Sequence, residues 1–379
     1  MNFLKKIILV LLFLFPISNS FGTTITHNQT VEYETGSFLA GVAFNDDGTK
    51  VFTTYATSTN VNEYNLSTPY DISTKTYAGD SERCTVEDIS NSLYDLEFSH
   101  DGMYLFVVNR NSASDDADGD KAYRYDLTSP YDISTCTLAH STTDLDSTTY
   151  TSGSKAGDFD HDGTANRKHR LQGIEFNNDG TKLFLVWMDA DDADVGARLL
   201  EYTLSTPYDL RTLSLVTTAG VSLGVSGNNN VVNPAGMRFS SNGKRIFIIS
   251  HNDASAGITQ YSFTNAFDTS SFTADGYLNI NTGISPANDE PRGVAFNANG
   301  LKLYIGNDNN MNSADQLMEY DLVCPFNLFA GKCPSITENS DRTGMAEAQV
   351  ELAKRTITLS TNSALNRLKW IRRNKDKQN

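Results

Sequence analysis

After residue 22 the 379-residue chain has no apolar run long enough to cross a bilayer as a helix. No cysteine or histidine spacing resembles a zinc site, and no HExxH, GxSxG or P-loop sequence occurs. The six histidines (His27, His100, His140, His161, His169 and His251) form no paired motif. These absences leave little support for metal-hydrolase, serine-esterase or nucleotide-hydrolysing chemistry. Positive charge is also scarce, with 30 Lys and Arg against 46 Asp and Glu, for a net −16. The deficit is uneven. The N-terminal segment carries two lysines and the tail 338–379 has nine basic and five acidic residues, which leaves −22 for the middle. A middle segment this acidic repels nucleic-acid phosphates and anionic lipid, so neither is expected as a partner, whereas cations are suited to it.

The first 22 residues read as a secretory signal peptide. Lys5 and Lys6 precede the apolar run Ile7 to Phe15, then Pro16 and the small residues Ser18 and Ser20. Cleavage is expected after Ser20 or Gly22, and localisation at the periplasm, the outer-membrane surface or outside the cell. Four cysteines, Cys84, Cys136, Cys324 and Cys333, then permit two disulfides in an oxidising compartment, with three connectivities open. Cys324 and Cys333 bracket a short loop and are the favoured pair.

What the sequence has in abundance is repetition. Five segments open alike: "GVAFNDDGTKVF" at Gly41, "DLEFSHDGMYLF" at Asp95, "GIEFNNDGTKLF" at Gly173, "GMRFSSNGKRIF" at Gly236 and "GVAFNANGLKLY" at Gly293. Asp-Gly or Asn-Gly between alternating apolar runs signals a hairpin. A third strand follows each hairpin, ending in "NEYNL", "YRYDL", "LEYTL", "TQYSF" or "MEYDL". A fourth, outer strand follows in sequences such as "CTLAHSTT" and "LSLVTTAG". Four antiparallel strands, here a to d, recurring about every 55 to 60 residues point to a propeller. The reading is an all-β, five-bladed β-propeller over residues 23–337, with a C-terminal α-helix in a tail at 338–379. The fifth repeat lacks an obvious strand d. The N-terminal "TTITHNQTVEY" is a spare strand and is expected to close the ring against it.

Between strands c and d lies a near-copied peptide: "NLSTPYDIST" at Asn65, "DLTSPYDIST" at Asp126 and "TLSTPYDLRT" at Thr203. Tyr70, Tyr131 and Tyr208 become Phe267 and Phe326 in the weaker copies. Since the ring is kept and the hydroxyl is not, the peptide reads as architecture, and function should lie in what differs between repeats. The hairpin openings resemble those of WD-repeat and bacterial surface-layer propellers over residues 24 to 333, although the Gly-His and Trp-Asp dipeptides of WD repeats are missing. That resemblance implies a fold and says little of function.

The tail "AQVELAKRTITLSTNSALNRLKWIRRNKDKQN" is similar to the segment preceding the outer-membrane barrel in some marine α-proteobacterial autotransporters. Val350, Ala353, Ile357, Ala364, Leu368 and Ile371 recur at helical spacing, consistent with one amphipathic helix. The resemblance implies a helix that threads a barrel pore. No alternating strands follow in this sequence, so a barrel on a longer chain, a separate barrel partner and a lost barrel stay open, beside a plain packing helix.

Candidate chemistry falls in the b–c and d–a loops, which are long, variable and acidic. "DFDHDGT" places Asp158, Asp160 and Asp162 at alternate positions before Gly163, with the Thr164 carbonyl as a further oxygen ligand. This spacing suits calcium, although His169 stands where an EF-hand has its bidentate glutamate. Second-rank cation ligands are Asp116, Asp118 and Asp120 in "DDADGD", and Asp189, Asp191 and Asp194 in "DADDADVG"; each run is by itself the pattern of a solvated acidic loop. At the axial entrance the candidates for binding a sugar or peptide are Tyr94, Asp95, Arg170, Gln172, Glu290 and Arg292. No residue is singled out as catalytic. The expected work is adhesion or capture of a polysaccharide or protein ligand. A polysaccharide-active enzyme using axial carboxylates is the rival, and a structural passenger a third reading.

Overall fold

The structure is a computed structural model that describes residues 25–35, 38–86, 93–110, 120–142, 169–189, 197–216, 221–223, 233–251, 256–280, 290–307 and 314–329. They form a five-bladed β-propeller, with no α-helix among the described residues. Strands a, b and c of the blades are Leu39–Phe44, Lys50–Tyr55 and Asn60–Leu66; Leu93–Phe98, Tyr104–Asn109 and Lys121–Asp126; His169–Phe176, Lys182–Asp189 and Arg198–Leu204; Pro234–Phe239, Arg245–Ser250 and Gly257–Phe263; Pro291–Phe296, Lys302–Asn307 and Ala314–Leu322. Outer strands in blades 1 to 4 are Lys75–Tyr77, Thr137–Ser141, Leu213–Leu215 and Phe272–Asn279. On blade 5 the outermost strand is Ile25–Thr35, which pairs antiparallel with Ala314–Leu322 and sets Thr30 opposite Met318. The expected signal peptide and tail helix lie outside the described residues.

Strands b are largely apolar on both faces because each sheet is packed between two others. The buried side chains accordingly fall into five cores, one between each neighbouring pair of blades. Leu39 and Val42 of blade 1 meet Tyr304 and Leu317 of blade 5 in one of them. Phe52 and Val61 of blade 1 meet Leu96 and Leu105 of blade 2 in the next. Burying a side chain of this size contributes roughly 1.5–3 kcal/mol each.

The repeated peptides are the hardware of one face. In blade 1 the Asn45 Oδ1 accepts from Lys50 N at 2.8 Å and the Asp47 Oδ1 from Thr49 N at 2.9 Å, holding the turn. Ser99 and Ser240 do the work of that Asn in blades 2 and 4, accepting from Tyr104 N and Arg245 N at 2.9 Å. The turn glycine adopts φ 71°, and the equivalents Gly102, Gly180, Gly243 and Gly300 lie between 66° and 70° or at 71°. More unusual is the aromatic of the c–d turn: Tyr70, Tyr131, Tyr208, Phe267 and Phe326 all sit at φ between 49° and 61°. A left-handed backbone at a bulky residue costs roughly 1–2 kcal/mol. What offsets it is local and recurs five times. The aromatic N–H donates to the turn glycine carbonyl of its own blade, at 2.8 Å for Tyr70 on Gly48 and 2.9 Å for Tyr208 on Gly180. Its ring covers that glycine so closely that a Cβ on Gly180 would lie 2.4 Å from Tyr208. In blades 1, 3 and 4 the Asp after the aromatic also caps the next turn, as Asp71 does for Ser73 N at 3.1 Å.

The carbonyls of four of the left-handed aromatics are then grasped by the preceding blade, Tyr70 O by the Tyr304 hydroxyl at 2.7 Å. Lys50 Nζ donates to Tyr131 O at 3.3 Å, Arg124 Nη1 to Tyr208 O at 3.2 Å, and Lys182 Nζ to Phe267 O at 2.7 Å. The peptide is therefore an inter-blade latch. Blades 1 and 2 are also joined covalently by the Cys84–Cys136 disulfide. Cys324 is disulfide-bonded too, while Cys333, its expected partner, lies outside the described residues.

Candidate functional site

The inward position before each repeated Phe is Ala43, Glu97, Glu175, Arg238 and Ala295 around the ring, and two residues earlier stand Gly41, Asp95, Gly173, Gly236 and Gly293. The glycines let the strands crowd the axis: a Cβ on Gly236 would meet Arg292 O at 2.5 Å. Arg238, from blade 4, reaches across this space to the other four blades. Its Nη1 donates to Glu175 Oε2 at 2.6 Å, its Nη2 to Val42 O at 3.0 Å and Leu96 O at 3.3 Å, and its Nε to Val294 O at 3.1 Å. Asp95 Oδ1 lies 3.7 Å from Nη2. A planar guanidinium with several fixed N–H donors suits this role, and a lysine could not replace it.

Three acids surround this one cation. Asp95 is buried, and burial pushes its carboxyl up to about 7 despite Arg238 and the N–H groups of Ile174 and Leu96. Burial likewise raises Glu97 well above the usual carboxylate range, and the neighbouring Glu175 raises it further. Glu175 is raised by burial, while Arg238 and the Phe239 N–H at 3.3 Å pull the other way. Burial would lower Arg238, but Glu175, Asp95 and Glu97 outweigh it and hold the guanidinium protonated. Glu97 Oε2 is buried and has no hydrogen-bond partner among the described residues. The missing proton partner is accounted for when the Glu97 carboxyl is protonated or a donor reaches it.

This cluster floors a cavity of about 650 Å³ that opens on the face of the a–b and c–d turns. Its wall is a ring of Phe44, Phe98, Phe176, Phe239 and Phe296, and outside it the left-handed aromatics Tyr70, Tyr131, Tyr208, Phe267 and Phe326. Asp46, His100, Asn178, Ser241 and Ala298 form the rim. The volume is that of a small-molecule site. In the sequence the a–b and c–d turns of this face are short and repetitive, and the binding candidates fall in the longer loops of the other face. The turns do repeat, but the strand residues beneath them do not. The signal available in the sequence was a pair of glutamates and an arginine at inward positions of strands that are otherwise apolar.

The structure places the sequence candidates as follows. Asp158, Asp160, Asp162 and Thr164 lie outside the described residues, as do Asp116, Asp118, Asp191 and Asp194. Asp120 is buried, and its carboxylate accepts from the Leu171 N–H of the next blade, a short contact that fastens strand a of blade 3. Asp189 ends strand b opposite His169; its side chain, like that of Arg170, is outside what is described. Among the described residues no three His, Cys, Asp or Glu side chains converge to hold a metal ion. Of the axial set, only Asp95 belongs to the central cluster. Tyr94 accepts at its hydroxyl from Arg110 Nη1 at 2.9 Å, with the guanidinium 4.8 Å from the ring centroid. Glu290 pairs with Arg292 at 3.2 Å. Gln172 is fully buried, and neither amide atom has a partner among the described residues.

No protein-family model matches the chain, and no curated protein does. Solved propeller structures are similar in shape. A luciferin-regenerating enzyme matches at 11% identity and TM-score 0.41, over 80% of this chain and 96% of that one. The β-propeller domain of Myceliophteria thermophila Cps50 (Swd1) matches at 10% identity and TM-score 0.39, over 78% and 100%. A Lactobacillus plantarum protein matches at 14% and 0.40 over 66% of this chain, which spans 60% of that protein's length. These similarities concern the fold.

Proposed function

We propose that this chain is an exported propeller that captures a ligand, displayed at the bacterial surface, with its ring closed by the N-terminal strand and carried on a C-terminal helical tail. The observation that supports capture is the cavity of about 650 Å³ on the propeller axis, walled by aromatic rings and floored by Glu97, Glu175 and Arg238. Arg238 spans the axis beneath it, so a ligand entering from the turn face meets a built floor rather than an open bore. Export rests on the N-terminal sequence pattern, and the acidic loops of the opposite face are the place for calcium. Asp158, Asp160, Asp162 and the Thr164 carbonyl supply hard oxygen ligands in the spacing that cation prefers. Bound there, calcium stabilises the folded chain by mass action, and Asp160→Asn with Asp162→Asn removes any calcium-dependent rise in melting temperature.

A second reading is hydrolysis, favoured by Glu97 and Glu175 standing on neighbouring blades with burial raising both carboxyls. A protonated acid beside an ionised one is the arrangement general acid–base chemistry requires. One experiment separates the two. The full chain is screened against a polysaccharide panel in calcium and in EDTA, with product release followed, and repeated with Ala298→Trp to block the rim. Capture predicts binding without product and loss of binding in the blocked variant. Product release that Glu97→Gln abolishes makes the protein a hydrolase, and binding indifferent to Ala298→Trp removes the pocket from the account.

A further inference from the structure

We infer that the axial pocket takes a small organic cation, an ammonium group on a hydrocarbon body, with its N–H donors on the Glu97 and Glu175 carboxylates and its body against the phenylalanine ring. This deepens the capture reading and rests on it. The argument begins with charge. The lining carries Asp46, Glu97 and Glu175 against Arg238, and Asp95 adds a third acid within the floor. An anion finds only Arg238 here, whose Nε, Nη1 and Nη2 already donate within the protein, whereas three acids about one guanidinium call for a further positive partner. Geometry narrows the cation. The described carboxylates do not converge as a metal cage, and Arg238 already occupies the side of Glu175 facing blade 4. What remains is Glu97, whose carboxylate is approached by the Phe176 N–H but whose Oε2 is buried with no partner among the described residues. A directional donor such as an ammonium N–H satisfies one such oxygen, where a bare divalent ion would need six or more oxygens. The walls supply the rest. Phe98, Phe176 and Phe239 line the cavity above the acids, and an aromatic wall beside carboxylates is the environment that stabilises a partly desolvated organic cation.

The empty pocket neutralises its surplus charge with protons, and the cation takes their place. The groups that face Glu97 are Glu175 on blade 3, Arg238 on blade 4, Asp95 on its own strand and the Tyr208 hydroxyl on the c–d turn of blade 3. Ligand binding then releases a proton, and affinity rises with pH until Glu97 is ionised in the free protein.

The test uses benzylammonium and its neutral counterpart benzyl alcohol, titrated calorimetrically into the full chain at about pH 6 and about pH 8, both below the ammonium's own titration. The expected result is benzylammonium binding at least about tenfold tighter than the alcohol, strengthening with pH and releasing protons. Glu97→Gln, isosteric and neutral, removes that preference without lowering the melting temperature, and Ala298→Trp at the rim abolishes binding of both probes. Equal affinity for the two probes, or a preference that survives Glu97→Gln, overturns the inference; should the alcohol's binding still be lost in Ala298→Trp, the capture pocket stands without its cation. Binding of neither probe, or binding indifferent to Ala298→Trp, overturns both.

Discussion

Replacing Arg238 with methionine keeps an unbranched side chain, two atoms shorter, and removes its charge. In the native ring that charge is bonded to one carboxylate and three carbonyls from four other strands. Taking away one partner of a buried ion pair costs about 3–5 kcal/mol, because the other charge is left without compensation. The more telling quantity is how the cost varies with pH. Without the guanidinium, Glu175 stays protonated over a range where the native protein has it ionised. The variant's folded state then binds one proton more than the native folded state. Its stability relative to wild type falls as pH rises, by about 1.4 kcal/mol per pH unit for each carboxyl so affected. The sign follows from the acids being raised: their contribution is complete below the unfolded value, near 4, and is lost as pH climbs through the folded one, about 7 for Asp95 in the native ring. Guanidinium unfolding of both proteins at about pH 5 and about pH 8 measures it. The variant's deficit should widen by at least about 1.5 kcal/mol between them. A deficit that is constant, or that narrows toward high pH, refutes the account of Arg238 as the counter-charge of the axial acids.

Gly180→Ala should cost about 2 kcal/mol or more, since the new methyl meets the Tyr208 ring at 2.4 Å as well as a φ of 71°; Gly79→Ala, at φ 113° with nothing within 4 Å, should show only the backbone part, and equal melting shifts in the two would count against the latch. The double variant Cys84→Ala with Cys136→Ala opens a covalent loop of 52 residues' separation, which the chain-entropy relation values at about 4 kcal/mol, read as a lowered unfolding midpoint. His140 is held neutral by burial and accepts from the Leu210 N–H at 3.1 Å; by NMR it should titrate below free histidine, and its contribution is present above about pH 6.5 and lost as pH falls through the folded value. A value above 6.5 would mean that Asp209, 3.4 Å away, dominates instead.

Much of the propeller was legible because its signals are local and multiplied five times. The a–b turn needs a glycine at positive φ, and Gly48, Gly102, Gly180, Gly243 and Gly300 announce it. The left-handed tyrosine is not legible, since propensity argues against Tyr or Phe at positive φ; the stacked glycine beneath the ring offsets the strain, and that contact joins residues 22 to 29 positions apart. Repetition of "TPYD" was correctly taken as architecture, yet its reach across blades through Lys50, Arg124 and Lys182 is tertiary information. For the site, the acidic loops carry the conspicuous charge of the sequence, and most of those residues lie outside the described part of the chain. Asp95 is legible as an axial acid, whereas Glu97 and Glu175 sit inside repeated motifs whose shared residues mask them.

The place of these acids bears on function. Blade packing does not require charge at the axis, since Ala43 and Ala295 occupy the same inward position in blades 1 and 5 and are buried there. A buried ion cluster is a weak source of stability even when balanced, because desolvation of each member opposes the Coulombic gain. This one is unbalanced. Asp95, Glu97 and Glu175 outnumber Arg238, and Asp95 titrates near 7 only because the fold resists ionising it. An arrangement that lowers stability at neutral pH, and that lies at the floor of a cavity rather than sealed within a core, is the part of the molecule that its repeats leave unexplained. A structural role predicts that neutralising Glu97 with glutamine stabilises the protein and changes nothing else. A ligand-binding role predicts the same gain in stability with the loss of a partner, and the pocket above Glu97 is where that partner would sit.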